Sequence, residues 1–207
     1  MLKVVCVLRS GGDYDETYVL ALYYAVLRHL TVPFEFLCLS DVEVHCPSVP
    51  LNNEWQGWWS KIEVFELTGA VLYLDLDTVI MGSLDPLAEA ILNMPSKQFL
   101  MLRALHPKRQ WASGVMGWNG DFNFLYNQFN YGKCSKSFKW DQHYIINKLL
   151  YSNISIKCIQ DYQSGMYSYK RFCRGNGHPP DDTTIIYFHG RPRPHECSEP
   201  WIKEHWA

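Results

Sequence analysis

The chain has 207 residues, of which 47% are hydrophobic and 15% aromatic, and its formal net charge is −2. This composition excludes an intrinsically disordered chain and predicts a single globular domain over residues 1–207. A net charge near zero, without a long basic run, argues against an extended nucleic-acid footprint. No apolar stretch reaches the ~18 residues that a membrane-spanning helix needs, so we expect no transmembrane segment.

The cysteines and the first residues of the chain indicate a compartment. The sequence contains 7 cysteines and no C-x-x-C pair. Cys6, Cys38 and Cys158 stand in apolar, strand-like runs, which predicts reduced thiols in the core. The apolar run at residues 1–8 is too short for a signal peptide and is typical of a first strand. We therefore expect a cytoplasmic protein.

Strand-like and helix-like patterns alternate along the chain from its first residues. Strands are predicted at 3–8, 33–39, 70–74, 98–103, 112–118, 154–159 and 184–188. Helices are predicted at 17–30, 55–67, 86–92, 122–129 and 141–150, and a short one at 201–206. Residues 42–54, 105–111 and 160–182 are predicted to be irregular. This alternation is typical of an α/β sheet that is covered by helices on both faces.

Two carboxylates follow the apolar run at 71–74, in the sequence Asp75-Leu76-Asp77. Side chains at i and i+2 of an extended segment share a face, so both carboxylates point the same way. Two like charges this close need a positive partner, and Mg²⁺ or Mn²⁺ prefers such oxygen ligands. The carboxyl end of a strand in an open α/β sheet is also where ligands bind. The competing interpretation is structural, with Asp75 capping a turn and Asp77 a solvated loop acid.

The sequence around this pair resembles the family-eight glycosyltransferases of the GT-A fold, a family that includes glycogenin and bacterial lipopolysaccharide galactosyltransferases. The resemblance starts at residues 58–65, continues through the D-x-D motif and extends over residues 81–87. It implies a single-domain GT-A-like α/β/α sandwich with a mostly parallel mixed central sheet. Residues 195–207 would then be a C-terminal tail that docks on this domain or on a partner.

Three later motifs extend the resemblance. Residues 112–116 resemble the family's N-S-G-V motif, although Ala112 stands where the family has an asparagine. Trp140-Asp141-Gln142 resembles its D-Q pair. Residues 188–194 resemble its H-x-x-G-x-x-K-P region, with Arg193 in place of the lysine. The histidine of that region would fall on Tyr187, whereas the histidine here is His189, two residues later and on the same strand face.

The resemblance implies a metal-dependent transfer of a sugar from a nucleotide-diphosphate sugar, such as a UDP-sugar, to an unknown glycan or protein acceptor, with retention of anomeric configuration. It implies Mn²⁺ (or Mg²⁺) as the cofactor, held by Asp75, Asp77 and His189, and Asp141 and Gln142 as the catalytic pair. The implied nucleotide-sugar-binding residues are Leu8, Arg9, Ser10, Tyr18, Lys61, Asp75, Leu76, Ser113, Gly114, Gly190 and Arg193.

Each of these residues also has a structural interpretation. Asp141 can be the N-cap of its helix, Tyr18 a core tyrosine and Lys61 a solvated helix lysine. His189 can be a hydrogen-bonded histidine at a strand end. Several tryptophans can offer flat faces to an acceptor sugar, although most are expected in the core. These are Trp111, Trp118, Trp140, Trp201 and Trp206.

Two other functions compete with a transferase. The D-x-D motif also resembles that of haloacid-dehalogenase-type phosphatases, with Asp181 and Asp182 as their late acidic pair. In those enzymes the motif ends the first strand and a glycine follows it, and neither feature holds here. The second alternative is a non-catalytic nucleotide-sugar-binding module with the same fold. An acceptor site, if there is one, is expected from residues 105–111 and 160–182.

Overall fold

The computed structural model describes residues 1–104 and 110–206. Within them the chain forms ten strands, β1 Leu2–Leu8, β2 Phe34–Ser40, β3 Ser48–Pro50, β4 Gly69–Leu74, β5 Thr78–Ile80, β6 Gln98–Arg103, β7 Trp111–Gly120, β8 Ser155–Cys158, β9 Met166–Ser168 and β10 Ile185–Tyr187. The α-helices are α1 Glu16–His29, α2 Asp85–Leu92, α3 Phe124–Asn127, α4 Tyr131–Ser137, α5 Asp141–Tyr151 and α6 Pro200–Trp206. Tighter 3₁₀ turns cover Gly57–Glu66, Ile159–Asp161 and Pro194–Glu196, and a π turn covers Tyr169–Cys173.

A seven-stranded sheet with the strand order β3-β2-β1-β4-β7-β6-β8 forms the centre of the fold. Every neighbouring pair is parallel except those of β7, which runs antiparallel to β4 and β6. The predicted mostly parallel mixed sheet is therefore confirmed. Because β7 is reversed, its first residues lie at the same edge of the sheet as the last residues of β4 and β6. The Asp75 amide accordingly donates to the Gly114 carbonyl at 2.8 Å.

The core fills both faces of this sheet. Its four central aromatic rings, Phe65, Phe99, Trp118 and Phe122, are each 0% exposed. Phe99 and Trp118 stack with ring centroids 5.5 Å apart. Burying side chains of this size stabilises a fold by about 1.5–3 kcal/mol each. The continuous burial of β4 from Ala70 to Leu74 is what its unalternating apolar sequence predicts.

A second sheet, in the order β5-β10-β9, packs beside the first. Val79, Ile186 and Phe188 form its apolar cluster together with Trp201 and Ile202 of α6. The C-terminal helix therefore packs on this sheet, and it also contacts α1. Because β10 pairs with β5, which directly follows the D-x-D turn, the small sheet brings residues 187–189 towards the two aspartates.

Several predicted elements differ from the structure. The predicted helix at 55–67 is a 3₁₀ segment, and every side chain from Trp59 to Phe65 in it is buried, which a helix with one solvent face would not allow. Apolar residues on all sides of the segment 17–30 predict a well-buried helix, but Tyr24 and Leu27 of α1 are about half exposed, at 50% and 49%. The region 160–182, predicted to be irregular, contains β9 and two helical turns. Of the predicted loop 105–111, residues 105–109 lie outside the described residues.

Other predictions are confirmed. All seven cysteines are free, and Cys6, Cys38 and Cys158 are buried. The sequence predicts Asp13 or Asp15 as the N-cap of α1, and Asp15 is that cap, since its side chain accepts from the Thr17 amide at 3.0 Å.

In the described part of the chain, no helix combines the length and the apolar character that crossing a bilayer requires.

Two glycines allow a test of how tightly the small sheet is packed. Gly165 and Gly177 both have left-handed backbone angles, φ 72° and 75°. A Cβ on Gly165 would overlap the Asp182 carbonyl oxygen, whereas one on Gly177 would meet no atom within 4 Å. Gly177→Ala should therefore lower the free energy of unfolding by only ~1 kcal/mol, the cost of a left-handed backbone angle for alanine. Gly165→Ala should lower it by about 1–3 kcal/mol more, because its Cβ also overlaps other atoms. Urea unfolding measures both, and equal losses would contradict the packing.

Candidate active site

A cavity of about 480 Å³ opens at the edge of the sheet where β4 and β6 end and β7 begins. Its wall is completed by the first residues of α5, by the 3₁₀ segment before β4, and by the residues that end β10. Of the residues implied by the resemblance, it brings together Lys61, Asp75, Asp77, Ser113, Gly114, Asp141, Gln142 and His189. Motifs that are far apart in the sequence therefore share one cavity.

A single buried ammonium joins the D-x-D motif to the D-Q motif. Lys61 Nζ lies 2.9 Å from Asp75 Oδ1 and 3.0 Å from Asp141 Oδ2. The side chains of Lys61 and Asp141 are each 8% exposed. Ser113 Oγ donates to the same Asp141 oxygen at 2.8 Å. Lys61 is therefore not a solvated helix lysine, because it is the counter-ion of two carboxylates.

This environment keeps Lys61 charged. Burial alone would lower the pKa of its ammonium, but the charges of Asp141 and then Asp75 outweigh burial and raise that pKa above its ordinary value. Asp75 also accepts the Tyr73 hydroxyl, at 2.7 Å. With a side-chain exposure of 31%, Asp75 remains open to the cavity. Asp141 is the first residue of α5 and its carboxylate faces Lys61, so its interpretation as an N-cap is wrong.

Asp77 has different partners and is far less exposed, at 6% of its side chain. Its Oδ2 accepts the Tyr14 hydroxyl at 2.6 Å and Arg193 Nη1 at 2.5 Å. Burial, and next the charge of Asp75, raise the pKa of Asp77 above its ordinary value, against the effects of Tyr14 and Arg193. The two carboxylates of the motif are thus neutralised by two different cations.

Arg193 belongs to the C-terminal segment that lies over the loop before α1. Its guanidinium packs 4.8 Å from the centre of the Tyr14 ring and lies 3.3 Å from Asp13 Oδ2. Two residues earlier, Arg191 pairs with Asp13 at 2.8 Å. Arg193 is not among the residues that line the cavity, and neither is Gly190, whose φ of 64° turns the chain into this segment. Arg193 therefore contacts Asp77 of the motif without lining the cavity.

Arg9 and Ser10, two of the residues implied to hold the nucleotide, directly follow β1 and are not among the residues that line the cavity. Ser10 donates to Asp41 through both its amide and its hydroxyl, at 2.7 and 2.6 Å. Arg9 lies 3.5 Å from the same Asp41 and donates to the Asn53 carbonyl at 3.1 Å. Asp41, at the end of β2, was not predicted as part of this region, although the Ser40-Asp41 turn after a strand was visible in the sequence.

Three other implied residues are packed in the interior. Leu8 and Leu76 are 1% and 3% exposed. Tyr18 is 3% exposed, as its core interpretation predicts, and its ring packs edge-on against Tyr14. Its hydroxyl contacts His195 Nδ1 in the C-terminal segment. Burial raises the pKa of Tyr18 to about 12.

Tyr187 and His189 both line the cavity. His189 Nε2 lies 3.0 Å from Ser168 Oγ. Partial burial and then the charge of Lys170 lower the pKa of His189, so its imidazole is neutral at neutral pH. Among the described residues, no three His, Cys, Asp or Glu side chains are arranged to hold a metal ion. The implied ligand set of Asp75, Asp77 and His189 is therefore not assembled as a group in this structure.

The phosphatase alternative would need an acidic pair beside the D-x-D motif. Asp181 and Asp182 are not among the residues that line the cavity. Asp182 instead accepts the Tyr167 hydroxyl at 2.8 Å. The motif also follows β4, a central strand, and not the first strand of the domain.

The fold, a mostly parallel mixed sheet flanked by helices, is GT-A-like. Solved structures with this fold superimpose on the chain. The glycosyltransferase GlyE of Streptococcus pneumoniae TIGR4 matches with a TM-score of 0.72 and 14% identity, over 100% of this chain and 61% of GlyE. The chain thus spans about three fifths of the GlyE length.

Two further structures match over almost their whole length. The galactosyltransferase LgtC, solved in complex with donor and acceptor sugar analogues, has a TM-score of 0.60 and 13% identity, over 98% of this chain and 93% of LgtC. A glycosyltransferase involved in glycosylation of the major capsid of PBCV-1 has a TM-score of 0.54 and 14% identity, over 99% of this chain and 98% of its own. At these identities the matches establish the fold.

At the level of sequence, no protein-family model and no curated protein matches the chain.

The position of Lys61 between two carboxylates predicts a large effect of its removal. Lys61→Met leaves two nearby carboxylates without their shared cation, and we expect it to lower the free energy of unfolding by about 3–5 kcal/mol. Lys61→Arg retains the charge and should lose less. Lys136→Met removes an exposed lysine of α4 and serves as the control. Urea unfolding measures all three, and equal stability of Lys61→Met and Lys136→Met would contradict the ion-pair assignment.

Proposed function

We propose that the protein is a glycosyltransferase that moves a sugar from a nucleotide-diphosphate sugar, such as a UDP-sugar, to an acceptor hydroxyl. The observation that carries this proposal is the buried Lys61 ammonium, which holds Asp75 of the D-x-D motif and Asp141 of the D-Q motif at one cavity. Similarity of fold to GlyE and LgtC supports it.

The transfer reaction requires groups of opposite charge or polarity at the two ends of the bond that breaks. The bond between the anomeric carbon and the diphosphate oxygen breaks, which leaves negative charge on the diphosphate and positive charge on the sugar. Asp141 and Gln142 at the start of α5 would face the sugar, where a carboxylate and an amide oxygen stabilise positive charge. Because Lys61 and Ser113 both bind Asp141, its carboxylate is held in one orientation.

We propose that the anomeric configuration is retained. An inverting transferase needs a carboxylate base that takes the acceptor proton. Asp141 is engaged by Lys61 and Ser113, which makes it a poor candidate for that role. In a front-face transfer, the acceptor oxygen forms its bond to the anomeric carbon while its proton moves to the departing phosphate oxygen. Asp141 would then orient the sugar, and Gln142 would lie near the anomeric carbon.

A divalent cation fits this donor set through two ligands. Mg²⁺ and Mn²⁺ sites in nucleotide enzymes commonly use one or two carboxylates plus substrate phosphates, so a complete protein cage is not needed. We propose that Asp75 and Asp77 hold Mn²⁺, or Mg²⁺, and that His189 joins them by leaving Ser168. When bound, the ion would supply Lewis-acid stabilisation of the diphosphate charge.

Arg193 is the proposed phosphate-binding residue. A guanidinium binds phosphate oxygens in a fork. Its present partners are Asp77 and Asp13, so binding a diphosphate requires Arg193 to exchange at least one of these contacts. Gly190, which turns the chain into this segment, allows such an adjustment because glycine tolerates left-handed angles.

Two further parts of the proposal concern the surroundings of the enzyme. Seven free cysteines in a chain of this size suit a reducing compartment, so we propose the cytoplasm. The acceptor is a glycan or a protein. Arg103 and Ala104, which end β6 and follow it, line the cavity, and Ser168 of the region 160–182 contacts His189 in its wall.

The proposal predicts that Asp77→Asn lowers nucleotide-sugar turnover by at least about a hundredfold, because the amide cannot replace a charged metal ligand. Asp181→Asn, which removes an exposed acid outside the cavity, should retain wild-type turnover. The assay measures the release of nucleotide from a panel of nucleotide sugars in the presence of Mn²⁺. A chelator should abolish this release.

The same assay separates the alternatives. Hydrolysis of a generic phosphate ester that is lost in Asp181→Asn would favour the phosphatase. Binding of a nucleotide sugar, seen as a higher melting temperature, without any turnover would favour the non-catalytic module.

Retention predicts an α-linked product from an α-linked donor, which the anomeric proton coupling in NMR spectra identifies. Gln142→Ala should reduce kcat while donor affinity stays near normal, because its amide acts mainly on the charged sugar of the transition state. A β-linked product would overturn both the mechanism and the roles of this pair.

A further inference from the structure

One aromatic side chain at the cavity is exposed without a structural need. Trp58 has a relative exposure of 52%, whereas its neighbour Trp59 is 6% exposed. Among the exposed large hydrophobic side chains in the described part of the chain, Trp58 is the one that lines the cavity. Leaving an indole half exposed forgoes part of the stabilisation that burial would give.

Local structure holds Trp58 in this place. Gly57, with a φ of 56°, turns the chain into the 3₁₀ segment that starts there. A 3₁₀ helix has three residues per turn, so side chains at i and i+3 lie on the same side. Trp58 and Lys61 are three residues apart, and both line the cavity. The indole is therefore placed on the side of the segment from which Lys61 reaches Asp75 and Asp141.

The groups around Trp58 are aromatic and polar together. Trp140, directly before Asp141, lines the same cavity, and so do Gln142 and Arg103. A pyranose ring presents apolar C–H faces and a rim of hydroxyls, which suits a flat indole with hydrogen-bonding groups at its edge. A lipid chain would need a continuous apolar groove, whereas Lys61 and three acidic side chains line this one.

We propose that Trp58 is the stacking platform of the acceptor subsite, and that the acceptor presents a pyranose ring. This inference rests on the proposed function, because an acceptor is meaningful only for a transferase. The acceptor is accordingly a glycan, whose terminal ring packs on the indole while one of its hydroxyls enters the cavity towards Asp75 and Asp141.

The experiment measures binding of four simple probes to the full chain by saturation-transfer NMR: the methyl glycosides of glucose, galactose, mannose and N-acetylglucosamine. We expect at least one to bind in the millimolar range, with the strongest saturation on the protons of one ring face. Trp58→Ala should weaken that binding about tenfold or more, whereas Trp58→Phe should keep most of it. Tyr151→Ala, which removes an aromatic ring that is 82% exposed at the end of α5, is the matched control and should bind as the wild type does.

The outcomes separate this inference from the proposed function. Nucleotide-sugar hydrolysis by the wild type, with none of the four glycosides bound, would keep the transferase and overturn the platform. Equal glycoside binding by Trp58→Ala and the wild type would also overturn it, as would a tyrosine peptide that serves as acceptor where no glycoside binds. Glycoside binding that needs Trp58, without any nucleotide-sugar hydrolysis, would keep a sugar subsite and overturn the transferase.

Discussion

The site depends on one ammonium group placed between two carboxylates. Asp75 follows β4 and Asp141 begins α5, and without a cation their charges would repel each other in a poorly solvated region. Lys61 supplies that cation from the 3₁₀ segment before β4, at 2.9 and 3.0 Å. Removing one member of a buried ion pair lowers stability far more than removing one member of an exposed pair. The charge that remains in the buried case is neither solvated nor paired. Three chain segments are therefore fixed relative to one another by a single side chain.

The second aspartate of the motif has a different role in the architecture. Asp77 is almost closed to solvent and binds Tyr14 and Arg193, so it ties the loop before α1 and the C-terminal segment to the sheet. Asp75 is about a third exposed and open to the cavity. The two carboxylates of the motif thus differ in their surroundings: both line the cavity, but only Asp77 also binds the loop before α1 and the C-terminal segment.

The sequence predicted the regular sheet and the positions of the motifs, because both depend on local patterns. β4 is a run of apolar residues, β7 contains Ser113 and Gly114 at its start, and α5 begins at Asp141, as expected. Partners from distant segments were not predictable, because no spacing rule relates Asp77 to Tyr14 or Asp75 to Tyr73. The same limit applies to Lys61, for which the sequence predicts either a nucleotide-sugar-binding residue or a solvated helix lysine. Its burial depends on where β4 and α5 meet, and that is a property of the tertiary fold.

The 3₁₀ segment before β4 shows how one such deviation shapes the site. In an α-helix over these residues Lys61 would stand about 60° around the axis from Trp58, because three steps of about 100° fall short of a full turn by that angle. Three residues per turn instead bring the two side chains into line, one at the mouth of the cavity and one in its floor. Because every residue from Trp59 to Phe65 is buried, the segment cannot rotate to relieve this arrangement. Core packing therefore fixes the backbone from which both Trp58 and Lys61 extend, and the two ion pairs of Lys61 fix its side chain as well.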